Sequence, residues 1–359
     1  MNRSTLIANK TVRGIIRLTF LGLLVFSFYI LSCTSCTKKS TSDRLIVGWQ
    51  TAWATCGQLV ETLVHTNIPV LYGSDATFRN FLFGPDMLEA ALGGNIDVTT
   101  IGVVPTINLL AASDDWVVVC RLIDFSVVTI ARTGSGISTY ADLKGKKLGV
   151  PFGSGAHPYI VQRLSENKLT SGIGPNNVEL INVSPAEAVV VIQQKGVDAI
   201  GTWEPNATII ENKGLGKSID EKRYIGLMVV RKSTIEKNPE QVVALIKSLI
   251  EANLYVAKNR EQTDAWFAKR SSFDRELLKK IRIIEPNIKA NRIEDVSVQI
   301  SPEDMLLSQQ VADQMFKSGL IKRKVVISEH TDLSFAKKAT EEVIKAGSKE
   351  SSIKLIQAK

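Results

Sequence analysis

The sequence predicts an α/β protein built as two lobes, each a mostly parallel sheet flanked by helices. Three observations carry that expectation. Short apolar runs alternate with helix-patterned segments, the order that parallel sheets with crossover helices produce. Several segment ends carry the residues that start or stop helices, as at Ser184-Pro185-Ala186-Glu187 and Lys195-Gly196. One arrangement also occurs twice. Gly94-Asn95-Ile96-Asp97-Val98 leads to Pro105, and Gly196-Val197-Asp198-Ala199-Ile200 leads to Pro205. In both, a helix ends in glycine, a strand opens with Asp and a proline loop follows. Two lobes on one plan would give this echo, and so would a coincidence between two α/β turns.

Taken in order, Leu45–Gly48 reads as the first strand, and Ile96–Ile101 as another followed by helical Thr106–Ala112. Val117–Leu122 and Val127–Ala131 are rich in strand formers. Lys147–Val150 is a strand before a helix at Pro158–Leu164. Val178–Val183 is a strand before a helix at Pro185–Gln194. That helix opens with a capping box and a proline at its first position, and closes on a basic turn and glycine. Beyond Pro239 helix formers dominate: Val242, Leu245, Ile246 and Leu249 share one face, and so do Leu307, Val311, Met315 and Phe316.

The chain has 359 residues with 44 Lys and Arg against 36 Asp and Glu, a formal net charge of +8. Arg3, Lys10, Arg13 and Arg17 account for half of it and precede every acidic residue. An uncharged apolar run of 14 residues, Leu18–Leu31, follows. It is too short for a membrane span, which needs about 20, and has the form of a secretory signal peptide. It ends in Ile30-Leu31-Ser32-Cys33, which resembles a bacterial lipobox. That implies a signal peptide over 1–32, cleavage before Cys33 and a diacylglycerol on its sulfur. A plain signal peptide cut later, or an uncleaved anchor, would look alike. Residues 33–43 are polar and aperiodic, a tether. The other basic clusters, at Lys144–Lys147, Lys279–Arg282 and Lys322–Lys324, are scattered solvated faces. No concentrated stripe points to nucleic acid.

Cys33-Thr34-Ser35-Cys36 has redox spacing but lies at the lipobox rather than after a strand. Cys56 and Cys120 would be free to pair in an exported protein, yet Cys120, flanked by VVV and RL, reads as a small buried hydrophobe. No metal site is expected: His65, His157 and His330 are far apart and lack ligand spacing. Gly216-Lys217-Ser218 fails as a phosphate loop because Glu211 occupies the first glycine position, and no GxSxG occurs. The residues therefore call for no cofactor and no catalytic group.

Ligands of open α/β sheets bind beyond the carboxyl ends of strands. Four loops qualify: Trp49, Gln50 and Trp53; Gly102 and Val103 before Pro105; Gly153, Ser154, Gly155 and His157; and Trp203 with Glu204. The third is the sharpest. A strand runs through Gly-Ser-Gly into a helix, whose unpaired N–H groups and dipole favour an anion; a plain glycine turn explains the segment equally well. The tryptophans supply aromatic walls or ordinary core, and Glu204 a carboxylate for a ligand amino group or for solvent.

These residues resemble the solute-binding proteins of ABC importers for aliphatic sulfonates, taurine, nitrate and thiamine precursors. The landmarks are Val47-Gly48-Trp49-Gln50, Gly84-Pro85 through Leu92, Asn95–Val98, Ser135-Gly136-Ile137 and Ala141–Val150. Gly153–His157, Val197-Asp198-Ala199 with Trp203-Glu204-Pro205, and Ala312-Asp313 through Ile321 complete the set, over roughly 44–340. The stretch from Trp53 to Phe83, with Cys56, departs from the usual pattern. The resemblance implies a type II periplasmic-binding-protein fold, with lobe one at 44–131 and 232–359, lobe two at 132–231, and two hinge crossovers. It implies a monomer that closes on a small anionic ligand and delivers it to an ABC permease and its ATPase. In the sulfonate branch the anion would lie over the helix start at Ser154. Gln50 and the Val103 backbone would contribute from the other lobe, Ser135 would join the site, and Trp203 and Glu204 would shape the tail pocket. A thiamine pyrimidine held by Trp49, Trp203 and Glu204, a pyrimidine-synthase-like enzyme with a consumed His, and a sensor subunit are the alternatives.

Overall fold

The computed structural model describes residues 44–357. The expected signal peptide over 1–32, the expected lipidation at Cys33 and the expected tether at 33–43 lie outside the described residues. No described helix is long and apolar enough to cross a membrane.

The chain runs through β1 (Leu45–Gln50), α1 (Cys56–His65), β2 (Ala76–Phe81), α2 (Gly84–Leu92), β3 (Val98–Gly102) and α3 (Val103–Ala112) to a long β4 (Trp116–Arg132). It continues through β5 (Lys147–Val150), α4 (Ala156–Glu166), β6 (Glu179–Asn182), α5 (Ala188–Gln193), β7 (Ala199–Trp203) and α6 (Asn206–Asn212) to a second long strand, β8 (Gly216–Arg231). The C-terminal part contributes α7 (Pro239–Lys258), α8 (Arg260–Ser271), α9 (Pro302–Lys317) and α10 (Ser334–Ala346).

The strands form one sheet in the order β2-β1-β3-β8-β4-β7-β5-β6. Each outer trio is parallel, while β3–β8, β8–β4 and β4–β7 are antiparallel. The two strand-rich segments expected around Val117–Leu122 and Val127–Ala131 are one strand of 17 residues. The intervening Ile123–Ser126 stays in strand geometry because β8 pairs with it, with register shifts absorbing the polar residues. β3 pairs with Gly226–Val230 of β8, whereas β7 pairs with Val127–Ala131 of β4. The two pairings thus lie on either side of the irregularity between Arg121 and Asp124.

The echo in the sequence has an atomic counterpart. The N–H of Ile46 donates to Asp97 Oδ2 (2.9 Å), and the N–H of Lys147 to Asp198 Oδ2 (3.0 Å). The backbone N–H of each Asp returns a bond to the same neighbour, at 2.9 and 2.8 Å. Each aspartate thus ties the opening of a central strand to the start of the adjacent parallel one, before the ladder begins. Half of the capping box at Ser184 forms: the Ser184 N–H donates to Glu187 Oε2 at 3.2 Å, while the hydroxyl donates to the same oxygen at 2.7 Å and regular helix starts only at Ala188. On α9, Val311 and Met315 are buried and Leu307 partly so, but Phe316 is exposed. Cys56 and Cys120 are separate buried thiols; burial pushes both up to about 12.

A buried charge network lies behind the strand irregularity. Arg121 grips Glu285 with both terminal nitrogens (2.7 and 3.1 Å) and also reaches Asp124 (3.0 Å). Arg223 of β8 holds Asp124 through Nε and Nη2 (2.9 and 3.0 Å) and Asp304 at 2.7 Å. Paired forks of this kind are the strongest protein hydrogen bonds, and here they join both long strands to the C-terminal segments. Burial pushes the Asp304 carboxyl up, but Arg223 and the Ser301 donors outweigh it and hold it below the usual carboxylate range.

Removing one partner of a buried pair costs about 3–5 kcal/mol, so Glu285→Ala should lower unfolding free energy by that order in urea titration. Because Asp304 is depressed in the folded state, its contribution is present above the ordinary Asp pKa and disappears as pH falls through the folded value. Stability measured on the acid side should fall less steeply in Asp304→Asn than in the parent.

Candidate functional site

Four strand ends converge on one tight cleft of about 30 Å³. β1 ends in Gln50, β3 in Gly102 and β7 in Trp203, while β5 leads through the glycine loop to Ser154 and Gly155. These residues and Trp53 line the cleft, all at the carboxyl ends of parallel strands.

Gln50 is buried, and its Nε2 donates to the Thr100 carbonyl at 3.3 Å. Trp53 meets Phe125 edge-on, with ring centroids 4.8 Å apart. Its Nε1 is buried without a hydrogen-bond partner, a condition that costs free energy until an acceptor arrives. Trp203 differs: its Nε1 donates to the Ala52 carbonyl at 2.8 Å, tying the end of β7 to the loop that carries Trp53. α3 begins immediately after Gly102 and α4 immediately after Gly155. The first-turn N–H groups of a helix lack intrahelical acceptors, and the dipole adds positive potential there. No charged side chain lines the cleft.

The glycine loop acts differently from the sequence expectation. Ser154 Oγ donates to the Pro151 carbonyl (2.6 Å) and accepts from the Ala156 N–H (3.3 Å). Its proton is therefore engaged in shaping the loop, and the N–H groups of Ser154 and His157 are bonded within it too, to the Pro151 and Ser154 carbonyls, which leaves the Gly155 N–H as the loop's open donor. Gly153 has φ 77°, and a Cβ there would lie 3.2 Å from Pro85. Its carbonyl accepts from Asn108 Nδ2 at 3.3 Å. The loop thus closes against α2 and α3 across the cleft.

Other expected residues lie beside the cleft or away from it. Trp49 is buried in a separate cluster with Val60, Phe267 and Leu278, because strand alternation sends it to the opposite face from Gln50. The Val103 side chain is in the core, leaving only its backbone for the cleft. His157 stacks on Phe152 (4.6 Å), and burial lowers its pKa, so the ring is neutral at pH 7. Glu204 accepts from the Thr208 N–H at 3.2 Å and from Arg282 Nε at 3.2 Å, so helix α6 and a cation occupy its carboxylate. Ser135 lies in the turn after β4, where its Oγ accepts from the Ile137 N–H at 3.4 Å. Among the described residues no cluster of three or more His, Cys, Asp or Glu could hold a metal ion.

Sequence reasoning missed three lining residues: Gly84, Pro105 and Phe125. The first two were visible as Gly-Pro and proline-loop landmarks without an assigned place. Phe125 had no signal, because it falls between the two strand segments expected at Val117–Leu122 and Val127–Ala131.

A family profile described as the NMT1-like family matches residues 68–270. The chain is 26% identical over 327 residues to an Escherichia coli K12 protein described as an aliphatic sulfonates-binding protein, covering 89% of this chain and 96% of that one. It is 28% identical over 208 residues to the E. coli K12 taurine-binding periplasmic protein, covering 54% of this chain and 60% of that protein. Among solved structures, the periplasmic aliphatic sulphonate binding protein SsuA from E. coli superposes with a TM-score of 0.63 at 23% identity, over 80% of this chain and 96% of its own. The alkanesulfonate-binding protein SsuA from Xanthomonas axonopodis pv. citri, bound to MOPS, gives 0.64 at 19% identity, over 81% and 98%. These structural likenesses show the two-lobed periplasmic-binding-protein fold.

Gly153→Ala should lose about 1–2 kcal/mol from the left-handed backbone alone, with further loss where the methyl presses on Pro85. Ser154→Ala should lose about 1 kcal/mol for its loop hydrogen bonds. Urea titration of both variants checks the ranking.

Proposed function

The chain belongs to the NMT1-like family, and from that premise we propose that it is an extracytoplasmic solute-binding protein, anchored by lipid at Cys33. In this reading it captures a small organosulfonate-like anion, of the alkanesulfonate, taurine or nitrate class, and delivers it to an ABC permease with its ATPase. The observation that carries the ligand class is the donor set of the cleft. Two helix starts and the Trp53 ring, whose buried Nε1 has no partner, border a cleft that no carboxylate lines. An oxyanion gains from every one of these groups, whereas a cation meets two positive dipole ends and no counter-charge. The described relatives for aliphatic sulfonates and taurine support the same class.

The lobes in this reading divide at the β4 irregularity. β1–β3 with the C-terminal helices make one lobe, β5–β7 the other, and β4 and β8 are the two crossovers. Closure then places the ligand between Gln50, Trp53 and the α3 start on one side and Gly155, the α4 start and Trp203 on the other. Binding energy from both sides shifts the hinge equilibrium. A thiamine pyrimidine fits less well, because Glu204, the acceptor it would need, is held by Arg282 and Thr208.

Calorimetry with alkanesulfonates, taurine and nitrate should give saturable binding to at least one. Trp53→Phe should weaken it by roughly 10–100-fold, the worth of a hydrogen bond to a charged group, while Glu204→Gln should change it little. Tight binding of a neutral ring compound with no response to any anion, or the reverse ranking of the two variants, overturns the proposal. Cys33→Ser should move the protein from the detergent to the aqueous phase in Triton X-114 partition if Cys33 carries the anchor.

A further inference from the structure

We propose that Gln58 and Asp264 are positioning residues for Trp53. They hold a strained γ-turn at Thr55 that keeps the Trp53 indole N–H available to the ligand, and so set the affinity of the cleft for oxyanions. The inference rests on the reading above in giving the Trp53 N–H an anionic acceptor.

Thr55 has φ 68° and ψ −61°, and the Cys56 N–H donates to the Ala54 carbonyl at 2.9 Å. A bond from residue i+2 to residue i across a positive-φ centre is the rare, strained form of the γ-turn. A β-branched residue is poorly suited to that region, so the surroundings must impose the conformation. They do so through one buried amide. Gln58 Oε1 accepts from the Thr55 N–H, while Gln58 Nε2 donates to Asp264 Oδ1 on α8 at 2.8 Å. Gln58 and Asp264 are both fully buried, and Arg260 Nε backs Asp264 at 3.2 Å. The side chain of Gln58 has no slack, because α1 is pressed onto α8: a Cβ on Gly57 would fall 2.1 Å from the Phe267 ring.

The turn fixes Trp53 two residues upstream. The Gly57 N–H donates to the Trp53 carbonyl at 3.0 Å. In front, Trp203 Nε1 holds the Ala52 carbonyl. The indole itself is wedged between Phe125 and Gly226, where a Cβ would lie 2.7 Å from its Cη2. With backbone and ring both bounded, the indole is fixed in place, and its buried Nε1–H has no protein acceptor. α8 takes no direct part in the cleft, yet through Asp264 and Gln58 it determines where this donor sits.

The test uses the full chain with butanesulfonate and taurine as probes, and the Trp53 indole ¹⁵N–¹H resonance, assigned by its loss in Trp53→Phe, as a ligand-independent readout. Gln58→Leu should weaken sulfonate binding at least tenfold, shift the Trp53 resonance and speed its exchange with solvent. Thr55→Gly, which adopts the turn without strain, should bind as the parent does. In the Gln58→Leu background it should restore affinity to within about threefold and return the resonance toward its original position, which a general packing defect would not allow. A folded Gln58→Leu with unchanged affinity and an unmoved resonance overturns the proposal, as does failure of Thr55→Gly to rescue it. If Gln58→Leu does not fold alone, the double variant is compared with Thr55→Gly: equal affinities support the proposal and a tenfold deficit overturns it. Should the parent bind neither probe, the anion reading fails, while the Trp53 resonance and its rescue still decide whether Gln58 positions the indole.

Discussion

The antiparallel pairing of β4 with β8 is the constraint on which the rest of the structure depends. The two strands run side by side from Trp116 and Arg231 at one end to Arg132 and Gly216 at the other. Every other strand reaches the sheet through one of them: the first trio through β3 on β8, the second through β7 on β4. A ladder that long twists, and its register shifts around Arg121–Asp124 concentrate the change of direction. The same place supplies Phe125 to the cleft and Arg121, Asp124 and Arg223 to the ion network. A cleft-lining residue and the ion network are thus built from adjacent residues of β4, with Glu285 and Asp304 bracing the network from the C-terminal segments.

The cleft manages charge without charged side chains. A fixed lysine or arginine would bind an anion tightly but would need its own partner when the site is empty, and a buried charge left alone is costly. Helix starts and an indole N–H carry only partial charges, so the empty cleft tolerates them while a ligand still gains from them in a low-dielectric space. Glu204, next to the lining Trp203, is neutralised by Arg282 and by the backbone of α6, as Asp124 beside Phe125 is by Arg121 and Arg223. These pairings keep their fields out of the cleft.

What was legible in the sequence follows from the range of the interactions concerned. The short strands and the capping box depend on neighbouring residues and were readable. The aspartate echo was readable as a pattern, and its meaning is a pair of matched hydrogen bonds from Asp97 and Asp198. Glycine and proline marked the cleft loops because close approach there requires them, as Gly153 against Pro85 illustrates. Trp49 and Trp53 carry identical local signals, and only strand alternation and the turn at Thr55 separate core from cleft. Ser154 looked like a ligand donor because a hydroxyl at a helix start serves equally well as a loop clasp. Partners such as Arg121 with Glu285 or Gln58 with Asp264 lie more than a hundred residues apart, beyond anything local pattern records.

The two halves of the sheet follow one plan but meet the cleft by different means. Behind β5 the chain reaches its helix through Gly-Ser-Gly, a thin loop that brings backbone rather than a long side chain to the cleft. Behind β1 it reaches α1 through a loop bearing Trp53, whose donor stands at the end of a bulky ring. Backbone donors are fixed by the fold itself, since their direction follows from the helix axis. A side-chain donor must be aimed, and aiming it takes a wedge for the ring, a strained turn for the backbone and a buried amide to hold the turn. This asymmetry explains why the Gly-Ser-Gly side needs only a hydroxyl clasp, whereas the tryptophan side recruits α8, an element remote in sequence from the strand it serves.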